Sequence, residues 1–249
     1  MENNTFYNQE PRTITIGTEQ ASSVRTFLSH VFSYMAAALI ISGVMAWWFG
    51  HTDLILNLYS IDVAAGKASL NILGWVVMLA PLGLVFAMGG LLNRVSGTAL
   101  LLMFLAFSVI NGISLSFIFL AYAETAIYRV FFMAAGIFAI MAVAGYTTKT
   151  DLTKLGSLLF IGLIGIVIGS LVNMFIGSST MDYIISILGV IIFTGLTAYD
   201  MQKLKNMGMQ IATGTETAQK MALMGALSLY LDFINLFLML LRLFGGRRD

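Results

Sequence analysis

The chain of 249 residues contains no cysteine. That absence excludes a disulfide scaffold, a thiolate metal site, a cysteine nucleophile and a palmitoylation site. Histidine is nearly missing too: His30 and His51 are too few for a histidine-based zinc site. Charge is scarce, at 10% of residues, where soluble domains carry about 25%. The 13 basic and 12 acidic side chains nearly cancel. A chain so balanced presents no basic field for nucleic acid. Nothing in the sequence calls for a cofactor.

Apolar residues take the place of the missing charge, at 59% of the chain and a mean hydropathy of +0.90. The excess runs along the whole length, which marks an all-α polytopic membrane protein with the lipid bilayer as its solvent. Runs of about twenty mainly apolar residues, the length of a membrane-spanning helix, fall at Phe27–Phe49, Leu70–Leu92, Ala99–Tyr122, Val130–Tyr146, Leu155–Ile176, Ile184–Leu204 and Met221–Phe244. Residues 1–22 read as a polar, mobile tail or a short interfacial helix, and 23–246 as a single seven-helix domain. The connections are short except for 50–69, which holds a weaker apolar stretch, Leu54–Ile61.

Lysine and arginine placement orients the spans. With the N-terminus in the cytoplasm, the inner side carries Arg12, Arg25, Arg94, Lys149, Lys154, Lys203, Lys205 and Lys220. The outer side carries Lys67 and Arg129, joined by Arg242, Arg247 and Arg248 if the last run crosses fully. A last segment that enters and returns would place this C-terminal cluster inside. The uninterrupted apolar run favours a full crossing.

Asp232 is the only formal charge between Met221 and Leu241. A carboxylate at that depth costs at least about 2.5–3.5 kcal/mol and faces protein or water, which makes it a functional candidate. Ser228, Asp232 and Asn235 lie three and four residues apart and so share one helix face. Asp200 stands near the end of the preceding run, with Thr197 on its face. Thr197, Ser228 and Asn235 read first as hydrogen-bonding contacts between helices, whereas such contacts seldom require an ionisable Asp232. Gly165, Gly169 and Asn173 form a small-residue face in the fifth run, suited to close helix approach. Asn111, Ser114 and Ser116 in the third run read as packing. Trp47, Trp48 and Trp75 stand where interface anchors do. Arg94, after the second run, is either a topology anchor or an ion-pair partner for Asp200.

At these residues the chain resembles the transmembrane Bax inhibitor family, in its bacterial branch. The likeness rests on Ala226-Leu-Ser-Leu-Tyr-Leu-Asp-Phe-Ile-Asn-Leu-Phe and Leu240-Leu-Arg-Leu-Phe-Gly245 in the last run, and on Thr197-Ala-Tyr-Asp-Met-Gln, Gly145-Tyr-Thr-Thr-Lys-Thr-Asp-Leu and Asn111-Gly-Ile-Ser. The resemblance covers about residues 22–245. It implies six helices around the last one, and a pH-sensitive calcium leak across a bacterial inner membrane. By motif, the proton-sensing aspartate pair falls on Asp200 and Asp232, and an arginine latch on Arg94 in Gly89-Gly-Leu-Leu-Asn-Arg94.

Two carboxylates in low dielectric titrate as a coupled pair. They offer calcium far fewer than the 6–8 oxygens of a tight site, so binding is weak, as a conduction path requires. The resemblance thus makes calcium ions and protons the ligands, with no enzymatic activity. Three other readings remain. One is a non-conducting regulatory subunit that binds a membrane protease or other membrane proteins. Another is an intramembrane aspartyl protease, whose Gly-x-Gly-Asp and Pro-Ala-Leu motifs are missing here. The third is a proton-coupled transporter, although the chain shows no convincing internal repeat.

Overall fold

The computed structural model describes residues 13–62, 67–212 and 214–246. Eight α-helices follow in order: α1 Thr13–Gly50, α2 Ile72–Leu91, α3 Gly97–Leu115, the short α4 Ile118–Ala121, α5 Glu124–Thr147, α6 Thr153–Ile176, α7 Ser179–Gly208 and α8 Glu216–Phe244. Seven segments are long and apolar enough to cross a membrane, α3 and α4 counting together as one. Helix is the expected answer in lipid, because each segment then satisfies its own backbone polar groups.

Besides shifts of several residues at helix ends, three features differ from the sequence reading. Helix α1 begins at Thr13, so residues 13–22 of the expected tail continue the helix; residues 1–12, Arg12 among them, lie outside the described residues. The third run breaks after Leu115 and resumes as α4 from Ile118. The 50–69 connection folds into a 3-10 turn, Asp53–Leu58, and an antiparallel hairpin of β1 Tyr59–Asp62 and β2 Lys67–Leu70. Asn71 locks this lid to α2: its Nδ2 donates to the Asn57 carbonyl at 2.7 Å, and its Oδ1 accepts the Gly74 N–H as the helix cap.

Helix α8 is the axis of the bundle. It packs chiefly on α7, α1, α5 and α3, while α2 leans on α3 and α6 on α7. Burial follows that plan: 72% of the most apolar window of α8 is inside the protein, against 11% for α6. The six other spans thus surround the last in two shells.

Apolar burial drives little association in lipid, so close packing and polar contacts between helices matter more. Both are present. At the α1–α3 crossing, a Cβ on Gly112 would stand 2.6 Å from the Ser42 carbonyl oxygen. At the α5–α7 crossing, one on Gly145 would collide with the Ala198 carbonyl oxygen. Neither crossing admits a side chain. Gly165 has open space instead, and Gly169 makes only ordinary contact with Ile185. The close approach expected along that face occurs at Gly156 and Gly162, against Tyr199 and Ile192 of α7.

At one end of the bundle, His51 follows α1 and is engaged at both ring nitrogens, Nδ1 as a donor. Nδ1 lies 2.7 Å from the Trp47 carbonyl and Nε2 2.9 Å from Glu124 Oε1, which opens α5. The same ring lies against Trp47 and edge-on to Phe119. The opposite end carries a second tie, where Glu216 of α8 accepts the Gly97 N–H of α3 at 2.8 Å.

Candidate functional site: an acid-floored cavity between α6, α7 and α8

Because α6 rests on α7 and stands away from α8, a cavity of about 1300 Å³ opens between the three helices. Asp200 of α7 and Asp232 of α8 both line it, with Ser228, Leu231, Asn235, Met239 and Arg242 along the same strip of α8. The strip is the three-and-four spacing of a single helix face. The other face of α8 carries Tyr230, Phe233 and Phe237, which meet aromatic rings of α3 and α5. The central helix is therefore polar toward the cavity and aromatic toward the core.

Ser228 donates its hydroxyl to Asp200 Oδ2 at 2.5 Å, which joins α7 to α8 at the level of the acids. Asp232 lies one helical turn further along α8, is only 6% exposed, and has no hydrogen-bond partner on Oδ2. A buried carboxyl oxygen without a partner is costly, since the desolvation penalty is not returned. A proton on the carboxyl lowers that cost, because the neutral form is cheaper to bury.

The remaining expected residues separate. Asn235 lines the cavity but spends its Nδ2 on the Leu231 carbonyl at 2.8 Å. Thr197 is fully buried and donates to Phe193 O within its own helix. Arg94 is exposed in the turn between α2 and α3, and among the described residues no ion pair joins it to Asp200. Lys203 is the lysine that lines the cavity with the acids. Among the described residues no group of three or more His, Cys, Asp or Glu side chains gathers as a metal site.

Several residues escaped the sequence reading. Tyr230 is completely buried, and its hydroxyl meets Ser42 Oγ of α1 at 2.7 Å and Asn111 Nδ2 of α3 at 2.8 Å. Gln202 accepts the Leu152 N–H and donates to the Thr150 carbonyl, both at 2.8 Å. Lys205 caps the Tyr146 carbonyl at 2.7 Å while lying over the Tyr146 ring. The stretches around Gly145–Leu152 and Thr197–Lys205 thus hold one another, and so fix the end of α7 that carries Asp200. Asn173 closes the far end of the cavity, donating to Asp182 Oδ1 at 2.9 Å and accepting the Ser178 N–H.

Residues 24–249 match the family described as inhibitor of apoptosis-promoting Bax1. The chain is 45% identical over 223 residues to an uncharacterized protein of Borreliella burgdorferi, covering 90% of this chain and 93% of the other. It is 39% identical over 239 residues to the inner membrane protein YbhL of Escherichia coli K12, covering 96% and 98%. It is 40% identical over 228 residues to an uncharacterized protein of Rickettsia prowazekii, covering 91% and 92%. Seven membrane-length helices and these relatives identify an integral membrane protein, and the chain belongs to the Bax inhibitor family.

Proposed function

We propose that this protein is a pH-sensitive calcium leak channel of a bacterial inner membrane, with its N-terminus in the cytoplasm, and that it is not an enzyme. The observation that carries the reading is the shared cavity of Asp200 and Asp232, with one Asp232 oxygen buried and unpartnered. Neutral or shared-proton forms of such a pair are cheap to bury, whereas two ionised carboxylates attract a cation. Proton occupancy and cation occupancy therefore compete for the same oxygens. The polar strip Ser228, Asp232 and Asn235 supports a hydrated route along α8, and few ligating oxygens suit an ion that must also leave.

Arg94 enters this reading as a latch only in another state of the bundle, since the exposed α2–α3 turn holds it apart from Asp200 here. Two states of Asp200, bound by Ser228 or by Arg94, would form the bistable element that a gate requires.

The deciding experiment is Ca²⁺ flux into liposomes holding only this protein, measured between about pH 5 and 8. Flux that depends on protein and on pH supports the channel. Liposomes as tight as protein-free ones would overturn it in favour of a non-conducting subunit.

A further inference from the structure

The cavity is larger than an inorganic cation needs. Its volume of about 1300 Å³ exceeds even the roughly 300–1,000 Å³ of sites that take drug-sized organic ligands. Its composition is divided along its length. The acids sit toward one end, whereas Leu163, Ile166 and Val167 of α6, Phe193 of α7 and Met239 of α8 form apolar walls further along. Hydrated calcium has no use for such walls.

We propose that this cavity binds an organic ammonium bearing one apolar chain, with the head between Asp200 and Asp232 and the chain along the α6–α8 walls toward Arg242. The inference deepens the ion-path reading of the same cavity, because the amine occupies the place proposed there for calcium. An alkylammonium head brings three donors and one positive charge. Asp232 and Asp200 both line the cavity, and Asp200 retains Oδ1 beyond its bond from Ser228. Charge-assisted hydrogen bonds of this kind are the strong ones. They return the desolvation cost that a buried, unpaired carboxylate otherwise carries.

The chain has a defined run. Ten residues separate Asp232 from Arg242, which at about 1.5 Å per residue is roughly 15 Å of helix. The other charges stand at the two ends. Lys203 is exposed beyond Asp200, and at the far end Arg242 is exposed while Asp182 is held by Asn173. A fatty acid would set a third carboxylate beside the pair. A fatty alcohol offers one donor and no charge. The amphiphile enters from the bilayer, since α6 turns Ile161, 66% exposed, and Val167, 50% exposed, outward beside the cavity.

The test uses the full chain in phosphatidylcholine nanodiscs and radiolabelled dodecylamine, with empty nanodiscs as the partition control. The expected result is saturable binding above the control, competed by Ca²⁺ but not by dodecanol or lauric acid. Asp232→Asn should weaken it by at least about tenfold. Val167→Trp, which fills the wall at a lipid-facing position without touching either acid, should also weaken it. Wild-type binding no greater than that of empty nanodiscs overturns the proposal. So does equal competition by dodecanol, or unchanged binding in both variants. Calcium flux in the same preparation separates the two readings: amine binding without flux sustains this site and removes the channel. Flux without saturable amine binding removes this site alone.

Discussion

The Tyr230 hydroxyl donates to Ser42 Oγ, and the direction is set by hydrogen count. Ser42 has a single hydroxyl hydrogen and commits it to the Ser108 carbonyl at 2.7 Å, so at Tyr230 it can only accept. Tyr230 in turn accepts from Asn111 Nδ2. One phenol therefore joins α1, α3 and α8 with every proton assigned, two residues before the acid that faces the cavity.

Tyr230→Phe keeps the ring against Phe107 and deletes only the oxygen. The Asn111 amide is left without its acceptor, and an orphaned buried group costs about 1–3 kcal/mol. The expected result is a lower thermal midpoint in detergent with the helical content intact. A variant as stable as the wild type would mean that water replaces the hydroxyl.

Gly145→Ala and Gly83→Ala should move stability in opposite directions. Alanine is the better helix former by about 1 kcal/mol, and the space around Gly83 is open. At Gly145 the new methyl meets the Ala198 carbonyl, and overpacking costs about 1–3 kcal/mol or more. Thermal unfolding of the two variants side by side checks the contrast. Equal shifts would show that α5 and α7 cross less tightly than described.

Asp232→Asn removes one charge of the pair at constant size, and an amide is cheaper to bury than a carboxylate. The protein should fold and its calcium flux should lose much of its dependence on pH. Superimposable wild-type and variant flux curves would place the proton sensor elsewhere. Under the latch proposal, Arg94→Ala raises basal flux and Asp200→Asn adds nothing to it, because both remove one interaction. Additive effects would return Arg94 to the role of topology anchor.

The hydrogen bonds that His51 donates to Glu124 and to the Trp47 carbonyl raise its pKa above 6.5. A folded-state value above the unfolded one means stability that is fully present below about pH 6.5 and lost as pH rises through the higher folded value. Thermal midpoints of wild type should therefore fall through that window, while those of Glu124→Gln fall less. Parallel curves would mean that the pair contributes nothing to stability.

Sequence alone located the seven spans, because length and hydropathy are local quantities. It also singled out Asp200 and Asp232, since an acid amid apolar residues announces itself, and helical spacing set Ser228 beside Asp232; the pairing of the two acids came only from the family resemblance. Tyr230 escaped for the opposite reason. A tyrosine between leucines reads as core, and its partner Ser42 lies 188 residues away. The hairpin after the first span escaped because β1 and β2 are only four residues each, too short for a clear alternation. The close approach of α6 shifted from Gly165 to Gly156 and Gly162, because a face of small residues marks where a neighbour can come near, not where it does.

The helix at the centre of the bundle is made after the six spans that surround it. Synthesis runs from the N-terminus, so the first six spans enter the membrane before the element they surround exists. During that interval Ser42 and Asn111 have no Tyr230 to meet, and the α1–α3 pair, joined at Gly112, encloses one side of a hollow. The partly built bundle must shelter these polar groups with lipid, water or one another until α8 arrives. Its assembly is completed from the inside, and a chain stopped before residue 216 is an open shell and not a smaller version of the protein.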